Sequence, residues 1–315
     1  GVSAFFWGFL FSSENSILEH RMQFRNNYFQ GSNIDQFSLH HRTKDIVLVY
    51  VPHSELVDAK TEQGNPNRII TPRNYLAKVV RAIARGNPAV IGLDYIFEEP
   101  DNIENDNVML QTLHEMKNNG IRVVGGYRLN PSLYEYVKKE GQSWSTVEMN
   151  KPVTTKTFLT YKAAFQSTSH FKLWKEAEEQ GRDIRYVVRK HLPKYNEHDS
   201  FTACLVKEYV QEMRKRLSNT DDASGAEIRK RIVILEKKIQ EMDVGASWYI
   251  NFRSPAPEMQ FQVVDSRKLL GYPESFLARY AENLFRDRIV LVGNTDFRND
   301  LHAIPISEND SVYGV

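Results

Sequence analysis

Apolar positions along the chain recur in two patterns. Short unbroken runs, rich in β-branched residues, appear at "DIVLVYV" (45–51), "AVIGLDYIF" (89–97), "IRVVGGY" (121–127) and "RIVLVG" (288–293). Runs this apolar predict strands buried on both faces, the signature of a parallel sheet. Between them apolar residues return every three or four positions, as in Leu76, Val79, Val80 and Ile83, then Met109, Leu110, Leu113 and Met116. That spacing predicts helices with one inward stripe. The first is punctuated by Thr71 as N-cap, Pro72 at the first helical position and Gly86 at its end; Gly120 closes the second. Strand, helix, strand, helix, strand implies parallel pairing with right-handed crossovers. The expected fold is α/β, a mostly parallel sheet with helices on both faces.

The pattern weakens between 130 and 245, which predicts an irregular, largely helical insertion. "FKLWKEAEEQGRDIRYVVRKHLP" predicts a short charged helix and a strand at "IRYVV". "DSFTACLVKEYVQEMRKRL" predicts a helix capped by Asp199 or Ser200, and "SNTDDASGA" a mobile loop. "EIRKRIVILEKKIQEM" spaces Ile228, Ile232, Leu235, Ile239 and Met242 by alternating fours and threes. The seam lasts only about two heptads. A helix lying on the sheet explains it, and a homodimer contact is the alternative. Order returns with a strand at "SWYINFRSP", a short helix at "VVDSRKLLG" and a longer one at "SFLARYAENLFRD".

Composition narrows the class. The chain has 315 residues, 41% hydrophobic and 26% charged, enough for a full core. Its net charge of +1 carries no footprint for nucleic acid. The single cysteine, Cys204, cannot form an intrachain disulfide, and its apolar setting predicts a buried small hydrophobe.

The first residues, "GVSAFFWGFLF", are too short an apolar run to span a bilayer, which takes about 20 residues. Phe5, Phe6, Trp7 and Phe9 resemble an interfacial aromatic belt, so 1–12 are expected to be the stub of a transmembrane helix. Residues 13–44 are expected to hold a juxtamembrane helix, capped by Ser13 with Leu18, Met22, Arg25 and Phe29 near one face, and then a loop. Residues 45–315 would form the domain proper.

Ligands of open parallel sheets bind outside the carboxyl ends of the strands. The strand exits bring forward His53, Asp94, Arg128, Asn294, Asp296, Asp300 and His302. Arg73, in the first turn of its helix, is a candidate anion contact or a salt-bridge partner for Asp94 or Glu98. Asp94, Asp296, Asp300 and His302 could in principle serve a metal-assisted hydrolase. No HExxH, paired-cysteine, GxSxG, GxGxxG or GxxxxGK motif occurs, however, so no catalytic residue, metal or cofactor is assigned. His191 and His198 are most simply solvated.

Three stretches in order, "DIVLVYV", "TPRNYLAKVVRAIARGNPAVIGLDYIFEEP" and "DNVMLQTLHEMKNNGIRVVGG", resemble the first half of a type-2 CHASE domain. "DSFTACLVKEYV", "YINFRSPAPEMQFQVVDSRKLLG" and "DRIVLVGNTDFRNDLHAIP" with the terminal "GV" resemble its second half. Pro52-His53 replace the usual acidic residue after the first strand, Tyr313 stands where proline is common, and the segment from Phe165 to His198 is longer than usual. The resemblance implies a sensory domain on the periplasmic or extracellular side of a bacterial cell membrane, flanked by transmembrane helices. It implies a small-molecule or environmental ligand, and a cytoplasmic output such as an adenylate cyclase or a histidine kinase.

Overall fold

The computed structural model describes residues 45–59, 68–98, 100–127, 129–137, 145–152, 155–171, 174–180, 183–191, 193–195, 198–218, 223–243, 248–249, 261–294, 301–303 and 311–313. The expected membrane stub and juxtamembrane helix lie outside these residues. Among the described residues no helix is long and apolar enough to cross a membrane.

Six strands form one all-parallel sheet: β1 (Ile46–Val51), β2 (Val90–Ile96), β3 (Val123–Tyr127), β4 (Ser167–His170), β5 (Gln262–Asp265) and β6 (Ile289–Asn294). Their spatial order is β5-β1-β6-β2-β3-β4. The four apolar runs therefore lie side by side in the centre. The edges, β4 and β5, are short and more polar, "STSH" and "QVVD". The sequence pattern does not announce either of them.

Alternation along the strands divides two cores. Val47, Val49, Val51, Ile91, Leu93, Tyr95, Val290 and Val292 face one large cluster. It is covered by α1 (Arg73–Ala84), α2 (Ile103–Asn118), α3 (Lys156–Ala164), α6 (Ser266–Gly271) and α7 (Glu274–Phe285). Ile46, Val90, Val124, Ile289 and Leu291 face the other cluster, under α4 (Phe201–Leu217) and α5 (Ala223–Asp243). Helices thus cover both faces, as expected. In α1, Leu76, Val79, Val80 and Ile83 are fully buried. Each contributes about 1.5–3 kcal/mol relative to exposure, which holds the helix in place.

Several details differ from expectation. Thr71 is not the cap of α1. Pro72 occupies that position, with no side-chain cap, and the Thr71 hydroxyl donates to the Tyr95 hydroxyl at 3.4 Å. The orphan Arg73 N–H is met instead by Asp101 Oδ2 at 2.9 Å, a carboxylate brought from the loop after β2. Gly120 does close α2, at φ +72°, and the N–H groups of Gly120 and Ile121 return to the carbonyls of Lys117 and Met116. Gly120→Ala is expected to lower stability by about 1–2 kcal/mol in a urea melt, because only glycine sits cheaply in this left-handed region.

The mid-chain segment holds the helices α3, α4 and α5, and it also holds strands that the pattern does not announce. Strands Leu129–Val137 and Ser145–Pro152 form a separate antiparallel hairpin. The charged stretch Trp174–Gln180, expected as a helix, is a strand paired antiparallel with Asp183–His191. Pairing with a neighbour overrides the helical preference of "KEAEEQ". Trp248–Tyr249 joins this second sheet rather than the main one. Ser200 caps α4 by accepting the Ala203 N–H at 3.2 Å. "ASGA", expected within a mobile loop, already belongs to α5.

The seam of α5 faces its own chain. Ile232 is buried in the second core, Ile228, Leu235 and Ile239 pack against it, and Met242 is buried.

Candidate functional site

The exits of β1, β6, β2 and β3 share one rim because β6 lies between β1 and β2. In register, Tyr50 pairs with Gly293 and Val51 with Asn294, while Val292 pairs with Leu93. Strand alternation puts Tyr50, Gly293 and Asp94 on the α4–α5 face, since Val49, Val51, Val292, Leu93 and Tyr95 face the other core.

This row is where the cover stops. One step inward, a Cβ at Gly92 would meet Leu205, Leu291 and Phe201 at 2.8–3.0 Å, so α4 rests directly on the sheet there. One step outward, a Cβ at Gly293 would meet only Asp94 among the described residues, at 3.7 Å from its Cβ and 3.8 Å from Oδ2. The helix begins at Phe201, so among the described residues α4 does not reach over the last row of the sheet. A candidate cleft lies there, with Gly293 as floor and Tyr50 and Asp94, both half-buried, as walls. The Tyr50 hydroxyl donates to Asp265 Oδ2 at 3.2 Å on the edge strand. Asp265 also caps α6 through the Arg267 N–H and pairs with the Arg267 guanidinium at 2.8 Å. Hydrogen bonds from Arg267 hold this carboxyl below its ordinary range, against the upward push of burial.

The candidate residues divide. Asp94 and the exposed Asn294 reach the rim, as does the single turn His53–Glu55 that follows β1. Arg73 does not. It lies on the opposite face, 5% exposed, with Nη2 donating to the Ile96 carbonyl at 3.2 Å and its guanidinium 4.2 Å from the Phe97 ring centre. Burial lowers its pKa, while Tyr161, Asp106 and Asp101 support the charge. The sheet separates it from Asp94, which removes the expected pairing. His302, expected on a loop, sits in strand Leu301–Ala303, opposite Val312 of Ser311–Tyr313. Arg128, Asp296 and Asp300 lie outside the described residues.

Two further side chains lie near β3, His198 at its exit and Cys204 nearer its start. His198, expected to be solvated, is half-buried, and its Nδ1 lies 2.9 Å from the Tyr127 hydroxyl. Burial pushes the Tyr127 phenol up to about 12. Cys204 is buried, its Sγ donating to Ser167 Oγ at 3.2 Å, and burial pushes its thiol up to about 11. A thiol so raised is a poor nucleophile at neutral pH. Among the described residues no cluster of three or more His, Cys, Asp or Glu could hold a metal ion.

A family model of the CHASE2 domain matches residues 2–315, nearly the whole chain. The chain belongs to the CHASE2 family. Neither curated proteins nor solved structures give a significant match. CHASE2 domains are sensory extracellular domains of membrane receptors rather than catalytic modules. Tyr50, Gly293 and Asp265 are the rim residues that the sequence pattern passes over. Their meeting depends on strand order, whereas Asp94 and Asn294 stood out as polar residues at strand ends.

Proposed function

We propose that this CHASE2 domain is the signal-input part of a membrane-bound receptor, and that its ligand seats over Gly293 between Tyr50 and Asp94. The observation carrying the reading is that, among the described residues, α4 ends its cover at Gly92 and only Asp94 comes within 4 Å of a Cβ at Gly293. Binding there would favour one position of α4 over another, by the ligand's differential affinity for the two. From α4 the shift has a short path outward. Helix α5 packs on α4, and Arg231 of α5 pairs with Asp45 at 2.8 Å, where the preceding segment joins β1. The output at the far end of that path is a cyclase or a kinase.

The test is Gly293→Leu in the full-length receptor. Among the described residues only Asp94 comes within 4 Å of a Cβ at Gly293, so a leucine side chain enters the cleft without clashing with the core. The variant should fold, and its output should change at least tenfold less than wild type across media that modulate the wild-type receptor. A response equal to wild type would remove the cleft from signalling. Substrate turnover by the purified domain that is lost in Asp94→Asn would replace the sensor reading with an enzymatic one.

A further inference from the structure

Helix α7 carries a second apolar surface, away from the core. Leu277, Ala281, Leu284 and Phe285 point into the large cluster. Tyr272, Phe276 and Tyr280, four residues apart, form an outer stripe. Their ring centroids are 5.0 Å apart for Tyr272–Phe276 and 4.5 Å for Tyr272–Tyr280. Phe276 and Tyr280 stack at 5.9 Å and 23°. Tyr272 and Tyr280 are partly anchored in the core, whereas Phe276 is 50% exposed. The rings therefore form a fixed ledge with one open aromatic face.

Beside the ledge lies a depression of about 300 Å³, lined by Ser275, Phe276, Arg279, Tyr280 and Asn283. Its polar complement is one cation, one amide and two hydroxyls, with no carboxylate. Nearby arginines are paired, Arg85 with Glu274 and Arg286 with Glu282. Arg279, exposed on the same helix, makes no ion pair or hydrogen bond among the described residues. The surface thus offers a flat apolar face, an uncompensated positive charge and neutral hydrogen-bonding groups.

We propose that this ledge binds an acidic saccharide. A pyranose presents one face of C–H groups that can lie on Phe276. Its ring hydroxyls match Ser275 and Asn283, and a carboxylate on the sugar matches Arg279. The depression is open and shallow, so it cannot enclose and dehydrate a compact apolar ligand. It can receive one side of a hydroxyl-rich chain. The site lies on the face of the sheet opposite the Gly293 cleft and does not depend on that cleft being the signalling site.

The test is calorimetric titration of the full chain with tri-galacturonate, with neutral galactotriose and with phenylacetate. Tri-galacturonate should bind at least tenfold more tightly than galactotriose. Phe276→Ala, at a half-exposed position, should weaken binding at least tenfold while the melting temperature stays near wild type. Arg279→Met should erase the preference for the acidic sugar and keep residual binding of both. Absence of tri-galacturonate binding, equal binding of the acidic and neutral sugars, or unchanged affinity in Phe276→Ala would overturn the proposal. Tighter binding of phenylacetate than of either sugar would overturn the saccharide assignment. Gly293→Leu should bind tri-galacturonate like wild type, which keeps a failure of this site distinct from a failure of the cleft.

Discussion

Gly86→Ala is expected to lower the stability of the domain by about 3 kcal/mol, at the upper end of the cost of overpacking. A Cβ built at Gly86 would stand 2.2 Å from the Ala281 carbonyl oxygen, 2.6 Å from its carbon and 2.9 Å from Phe285 Cβ. The first two are backbone atoms of α7 and cannot rotate away. To admit the methyl group, the end of α1 must part from α7, and the buried Ile83, Leu284 and Phe285 part with it. Urea unfolding should show a lower midpoint with unchanged slope. Gly271→Ala is the matched control, with nothing within 4 Å of its Cβ, and should stay within about 0.5 kcal/mol of wild type. Equal behaviour of the two variants would refute the close approach of the helices.

The second large effect is expected at Glu212. This buried carboxylate of α4 accepts from Arg122 Nε at 3.1 Å and from Arg216 Nε at 2.9 Å. Arg122 also pairs with Glu208. Arg216 reaches on to the Asn87 and Pro88 carbonyls at 3.0 and 2.7 Å, and to Asp287. Asn87 and Asp287 are the two non-glycine residues with positive φ among those described, at 51° and 58°. The turns before β2 and β6 thus rest on one arginine, and Glu212 orients it. Glu212→Ala removes the acceptor shared by two guanidinium groups, which keep Glu208 and Asp287 as partners, and should cost about 2–3 kcal/mol.

Acid should reveal the same group. Burial pushes the Glu212 carboxyl upward, but hydrogen bonds from Arg216 and Arg122 outweigh it, and the pKa lies below its ordinary 4.5. A carboxyl lowered by folding stabilises fully above its unfolded value, and the contribution is lost as pH falls through the folded value. The stability gap between wild type and Glu212→Gln should therefore be complete at neutral pH and shrink from about pH 4.5 downward. Urea melts at pH 7 and at acid pH measure it, and a constant gap would contradict the assignment.

The parts legible in the sequence are those with an unambiguous local cost. Four apolar runs had to be strands buried on both faces, because no other element hides "DIVLVYV" or "RIVLVG" from water. The α2 end was legible through Gly120, and the α4 start through Ser200. The edge strands β4 and β5 were not. An edge strand is half solvated, so "STSH" and "QVVD" carry too little apolar pattern to stand out. The strand at Trp174–Gln180 was hidden for a related reason, as its charges and alanine favour a helix until a partner strand is present.

The candidate site divides along the same line. Asp94 was visible as a charge at the end of a buried run. The loops share a rim because the strands are parallel, and that too followed from the element order. Arg73 was a candidate partner of Asp94 yet lies on the other face of the sheet, since helix periodicity shows which face of α1 is buried and not against what. Tyr50 and Gly293 become neighbours only when β6, the last strand of the sheet in the chain, inserts between the first two. The sequence by itself determined the four central strands, the helices α1 and α2 between them and the common direction of those strands, and so which strand ends share a rim. Only the tertiary structure decided the strand order, the face on which each rim residue lies and the point at which α4 stops covering the sheet. Those depend on contacts between residues more than two hundred positions apart, such as Tyr50 with Asp265 and with Gly293. Local periodicity holds no record of such distances.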